Sequence, residues 1–151
     1  MPDSHICAKT LAHHERQKTL CARLEVIADG LPGSINLQEC LVLARDIYPA
    51  VRLAHEFEEI EFFPRLQQRV GQERVADGIE RLRYEHWEDE DYAEEISVTL
   101  NRLGRGEPIG NIEKVSWLLR GFFSGVRRHI AYEADHLLPM LLVNTKTRTS
   151  A

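Results

Sequence analysis

NIEKVSWLLRGFFSGVRRHIAYEADHLLPM, residues 111–140, reads as a helix with a hole in its apolar stripe. Ile112, Val115, Leu118, Phe122 and Val126 recur at spacings of three and four, the period of one helical face, and Leu137 and Met140 resume the series. Continued from Val126, the stripe reaches His129 and, one turn further, Glu133. An imidazole and a carboxylate stand where hydrophobes belong.

The same interruption recurs in the other segments. Glycine and proline punctuate the chain at Gly30 to Ser34, around Val70-Gly71, and from Gly104 to Gly110. Four long segments result, roughly 8–29, 36–69, 73–103 and 111–142, with no sustained strand-like alternation. The third carries Val75, Ile79 and Leu82, then His86, then Ala93, Ile96, Leu100 and Leu103. The second carries Leu37, Leu41, Ala44, Tyr48 and Val51, then His55 with Glu58 or Glu59 as the next inner position, then Phe62 and Leu66. The first is weaker, with Leu11, Leu20, Leu24 and Ile27, and His14 fits its face better than His13. Ser34 or Asn36 is placed to cap the second helix and Asn111 the fourth. Pro49 and Pro64 are expected to kink or end the second helix locally. Four helices joined by short loops predict an all-α, up-down-up-down antiparallel bundle forming one domain over 1–151, with its ordered part about 8–142.

Sequence depth puts the four histidines at one level. His14 lies 16 residues before Gly30, and His55 lies 23 after Pro32. His86 lies 18 before Gly104, and His129 lies 19 after Gly110. At about 1.5 Å of rise per residue, these distances differ by little once loop residues are allowed for. A buried carboxylate or imidazole without a partner costs several kcal/mol. A set converging on a cation is stabilised together. A His-x-x-x-Glu spacing places nitrogen and oxygen donors one turn apart on one face. Two such pairs with two further imidazoles suit iron, with manganese or zinc as alternatives.

In order and spacing, His14, then His55-Glu-Phe-Glu-Glu59 with Phe62-Phe63-Pro64, then His86, then His129-Ile-Ala-Tyr-Glu133 with Leu137-Leu138-Pro139, resemble the haemerythrin-like HHE cation-binding domain. The resemblance spans nearly the whole chain. It implies two non-haem iron ions, with His14 and His55 on one, His86 and His129 on the other, and Glu59 and Glu133 as bridges. Oxygen-carrying haemerythrins have a second histidine one turn after that of the third helix; here the position is Glu90. They also end on an aspartate bridge, where this chain has Glu133. These departures point from O2 carriage toward binding or sensing of O2, NO or peroxide, stress responses and iron handling. A di-iron oxidase, a peroxidase and an NO-detoxifying enzyme are the competing class.

Composition bounds the remaining classes. The chain has 151 residues, 43% of them hydrophobic, and a net charge of -5. That is enough for one core, and no basic face favours nucleic acid. No apolar run approaches the ~20 residues of a membrane helix. Cys7, Cys21 and Cys40 are odd in number and unpatterned, arguing for a reducing compartment. MPDSHICAKT has no signal-peptide character, so the expected location is the cytoplasm. The expected partners are the small ligand and either a second copy of the chain or another protein. Glu56 and the run Glu88 to Asp91 read as solvated faces, with Asp89 or Glu90 close to the inner stripe. Tyr48 and Tyr132 read as core tyrosines within reach of a ligand. His136 reads as a bundle-end residue, and His5 and the tail 144–151 as lying outside the ordered bundle.

Overall fold

The computed structural model describes residues 2–142. Helix α1 spans Pro2–Gly30 and α2 spans Leu37–Phe57. A π-helical turn, Glu58–Phe62, joins α2 to α3, Phe63–Val70, within one continuous rod. Helix α4 spans Gln72–Gly104, and α5 spans Ile112–Tyr132. A second π-helical turn, Glu133–Leu137, prolongs α5, and the rod stays helical to residue 142. Among the described residues there is no strand. The four rods pack as a closed ring, α1 against α2 and α5, and α4 against α2 and α5. This is the all-α four-helix bundle expected from the stripes.

Local chemistry sets the rod ends. Asn36 and Asn111, both extended, accept hydrogen bonds from the backbone N–H groups of Glu39 and Lys114. Gly71 adopts φ 89°, a conformation that side chains resist, and turns the chain between α3 and α4 without a longer loop. Helix α2 continues through Pro49 and does not end there. Pro64 and Pro139 act differently. The N–H of the residue before each proline reaches back five positions, Phe63 to Glu58 and Leu138 to Glu133. A wide turn lies just before each proline, where an α-helix would lose a backbone bond and meet the ring.

Leu11, Leu37 and Ile112 of the expected stripes are exposed. Leu11 faces outward because the buried face of α1 is Asp3, Cys7, Thr10, His14, Gln17, Cys21 and Leu24. Asp3, Thr10, His14 and Gln17 crowd the first half of that face, so the apolar pattern marks it only weakly there. Thr10 is satisfied by the Ile6 carbonyl and Asp3 by Arg65. Helix α1 also begins at Pro2, so His5 is an exposed helical residue and not part of an unfolded end. The tail from 144 lies outside the described residues.

The apolar core is divided in two. One cluster gathers Leu24, Ile27, Leu43, Ile47, Ile96, Leu100, Leu119 and Phe122 among others. The other gathers Phe62, Phe63, Leu66, Ile79, Leu82, Leu137 and Leu141 with their neighbours. Between them lies a layer of buried polar side chains: His14, His55, Glu58, His86, Asp89, His129 and Glu133. No helix among the described residues is long and apolar enough to cross a membrane.

Candidate metal centre

Every rod contributes to the polar layer. Helix α1 brings His14, α2 brings His55, the first π turn Glu58, α4 His86, and the last rod His129 and Glu133. His14 is 2% exposed and Glu133 is fully buried, so these groups have exchanged water for one another. Glu58, His86, His129 and Glu133 offer ligand atoms that all lie within 4.8 Å of one another. His86 Nε2 lies 2.5 Å from Glu58 Oε2. His129 Nε2 lies 3.4 Å from the same oxygen and closer still to Glu133 Oε2. His14 Nε2 lies 2.9 Å from Glu133 Oε1. His55 stacks on His86, with ring centroids 3.8 Å apart, and lies 5.9 Å from the ring of His129.

Five of the six residues expected from the sequence are buried together in this layer: His14, His55, His86, His129 and Glu133. His13, one position from His14, is half-buried against the ring of Phe57. The sixth, Glu59, is not buried with them. Glu58, 3% exposed, occupies the pocket, and Glu59 stands at the rim, bonded to Arg83. The reason is the phase of α2. Its buried face includes Cys40, Ile47 and Ala54, together with Ala44 and Val51, whereas Leu41 and Tyr48 are only half-buried. Ala44, Val51 and Glu58 are seven apart, and that heptad series was the available signal.

The carboxylates expected near the stripe also have places. Asp89 is buried, with Oδ2 3.7 Å from His129 Nδ1. Glu85 Oε2 is 3.8 Å from the same nitrogen. Glu90 lies 3.2 Å from His55 Nδ1 and is not in the central cluster. The Nε2 atoms of His14, His86 and His129 therefore face the pocket carboxylates. The Nδ1 atoms of His55, His86 and His129 face a second ring of carboxylates. Imidazoles that bind metals are commonly backed in this way. Tyr132 packs beside His136 and reaches Gly78, so neither residue enters the centre.

Electrostatics show what the layer lacks. Burial and the neighbouring charge of Glu133 push the Glu58 carboxyl up, against its bonds to His129 and His86. Burial pushes Glu133 up as well, but His129 and His14 outweigh it and hold that carboxyl low. Burial pulls His129 down, and Asp89, Glu133 and Glu58 together hold it well above the usual imidazole range. Burial, with His86 and His129 beside it, lowers His55 to about 2, so it is neutral at physiological pH. Buried polar atoms on His86, His129 and Glu133 lack an aligned hydrogen-bond partner. Such atoms are uncommon in a folded interior and call for a counterpart. A cation among two carboxylates and several imidazole nitrogens supplies one, so the donor set fits a metal ion.

The chain matches one family model, described as the Hemerythrin HHE cation binding domain, over residues 6–141. No curated protein and no solved structure matches it.

Proposed function

Because this chain belongs to the hemerythrin HHE cation-binding family, we propose that its polar layer holds two iron ions and takes up O2, NO or peroxide at an open iron position. One observation carries the reading: four donors from three rods lie within 4.8 Å of one another in a layer closed off by apolar packing on both sides. His14, His55, His86 and His129 would hold the metals through ring nitrogens, with Glu58 and Glu133 as the shared carboxylates. Glu58 takes the role that the family spacing gave to Glu59. Iron, when bound, supplies the redox-active centre at which the small ligand is captured.

The protein's own groups do the rest. Two buried carboxylates offset part of the positive charge of two divalent ions, which favours retention. Neutral His55 offers a lone pair without first losing a proton. His129, held protonated by its carboxylates, must release its proton on loading, so binding tightens as pH rises. The apolar clusters above and below exclude bulk water. A depression of about 310 Å³ reaches His55 and His86 between α2 and α4, wide enough for a diatomic ligand.

The test is anaerobic purification with ferrous iron, metal counting, and exposure to air. About two iron ions per chain are expected, as in dinuclear carboxylate bundles, and fewer than about 1.5 would remove the dinuclear reading. A reversible visible absorption supports ligand binding or sensing. Irreversible oxidation with turnover of peroxide or NO assigns an enzyme. Ready loss of iron to a chelator assigns iron handling.

A further inference from the structure

Arg52-Leu-Ala-His55-Glu-Phe-Glu-Glu59 and Arg83-Tyr-Glu-His86-Trp-Glu-Asp-Glu90 share one pattern. An arginine is followed by a histidine three residues on and a glutamate four beyond that. The two copies lie on rods that are consecutive, antiparallel and packed together, so they meet head to tail. Arg52 Nη1 donates to Glu90 Oε1 at 2.9 Å, and Glu90 Oε2 lies 3.2 Å from His55 Nδ1. Arg83 Nε donates to Glu59 Oε2 at 2.8 Å, and Glu59 Oε1 lies 3.3 Å from His86 Nδ1. The last contact is close without being aligned as a hydrogen bond.

Each glutamate thus spends one oxygen on an arginine and turns the other to a histidine of the opposite rod. The two imidazoles stack at the centre, 3.8 Å apart and 11° from parallel. The side chains grade from exposed to buried: arginines at 58% and 48%, glutamates at 22% and 35%, histidines at 6% and 4%. Together they line the depression over the metal layer. An exposed arginine–glutamate pair alone contributes little to stability, too little to require so particular an arrangement. What distinguishes these pairs is the second oxygen, which faces a buried ring nitrogen.

We infer that Glu59 and Glu90 are a reciprocal pair of positioning residues. Each accepts from the Nδ1–H of the histidine across the rod interface, and the proton stays on the ring. That fixes the tautomer whose Nε2 lone pair is left for a metal. Arg52 and Arg83 hold the two carboxylates in place from the solvent side. The inference deepens the metal-centre reading and rests on it.

Zinc is the probe, being redox-inert. Its affinity for the full chain is measured by competition with a chromophoric chelator for wild type, E59Q and E90Q. Both variants should bind as many zinc ions as wild type, with affinity lower by about 10- to 100-fold and by similar factors. R52Q and R83Q, altered at the exposed end where the fold is not at stake, should show smaller losses of the same kind. Nitrogen NMR of the metal-free chain reads the tautomers directly: His55 and His86 should carry the proton on Nδ1. The preference should weaken at His86 in E59A and at His55 in E90A. Variants within about twofold of wild-type affinity overturn the pair, since a backing carboxylate contributes more than that. So do wild-type tautomers protonated on Nε2. A wild-type chain that takes up no zinc instead removes the metal-centre reading, and the tautomers still judge the pair.

Discussion

At the scale of the residue, neighbouring glutamates have separate tasks. Glu58 lies between His86 and His129, and Glu59 stands outside with Arg83. E58Q should therefore lower the number of metal ions bound, while E59Q keeps the number and loses affinity; metal counting with a competition titration separates them. H129A should lose metal outright, because that ring is the one shared by both pocket carboxylates. The cysteines give a test independent of metal. Cys21 is 1% exposed, and burial raises its thiol from 9.0 to about 12. Unfolded, the thiol ionises near 9; folded, it keeps its proton. Stability is thus full below pH 9 and falls as pH rises toward 12, by about 1.4 kcal/mol per pH unit from this group. Urea unfolding from above pH 9 to pH 11 should show wild type losing up to that much more per unit than C21A. His55, His86 and His129 were legible in the sequence because each breaks an apolar series, and His14 followed only from the weaker series of Cys21, Leu24 and Ile27. Glu58 was legible only as an alternative to Glu59, which the family's His-x-x-x-Glu spacing favours, although burial puts Glu58 inside.

At the scale of the element, rod ends and crossings follow from small features. The caps Asn36 and Asn111 and the turns at Gly30, Gly71 and Gly104 were readable from residue type alone. The π turns were not, since no hydrophobic pattern separates a five-residue turn from a helical one; only the prolines behind them hinted at a local departure. Gly104 closes α4 against the start of α2. A Cβ there would lie 2.6 Å from Leu41 Cγ and Cδ2 and 3.0 Å from the Leu37 carbonyl oxygen. G104A should cost about 1–3 kcal/mol by overpacking, seen in chemical denaturation, and leave the distant metal layer unchanged.

At the scale of the molecule, the bundle is two apolar blocks with a polar layer between. The layer is costly when its buried groups lack counterparts and stabilising when cations fill it. Removing metal with a chelator should lower the melting temperature. At a free metal concentration 100-fold above the dissociation constant, the lost stabilisation is about 2.7 kcal/mol for each site. Hydrogen exchange should show the loss centred on residues beside His55, His86 and His129, with the cluster around Ile47 and Ile96 the last to open. That the layer would form at one height was legible in the chain, because loop-to-histidine distances are nearly matched on all four rods. How carboxylates would back the imidazoles was not, because that depends on how α2 and α4 are rotated about their axes.

The two wide turns also govern how the halves of the protein are phased. Each slips one additional residue into its rod where the rod passes the polar layer. Excising Ile60 would restore ordinary pitch and leave the residues beyond it facing as they do, because the wide turn absorbs one residue. Phe62, Phe63 and Leu66 would keep their places in the lower block, and the change would fall on the polar layer, where Glu58 opens the wide turn. A shortened chain that stays fully helical and binds no hydrophobic dye, yet holds less metal, would be the mark of that division.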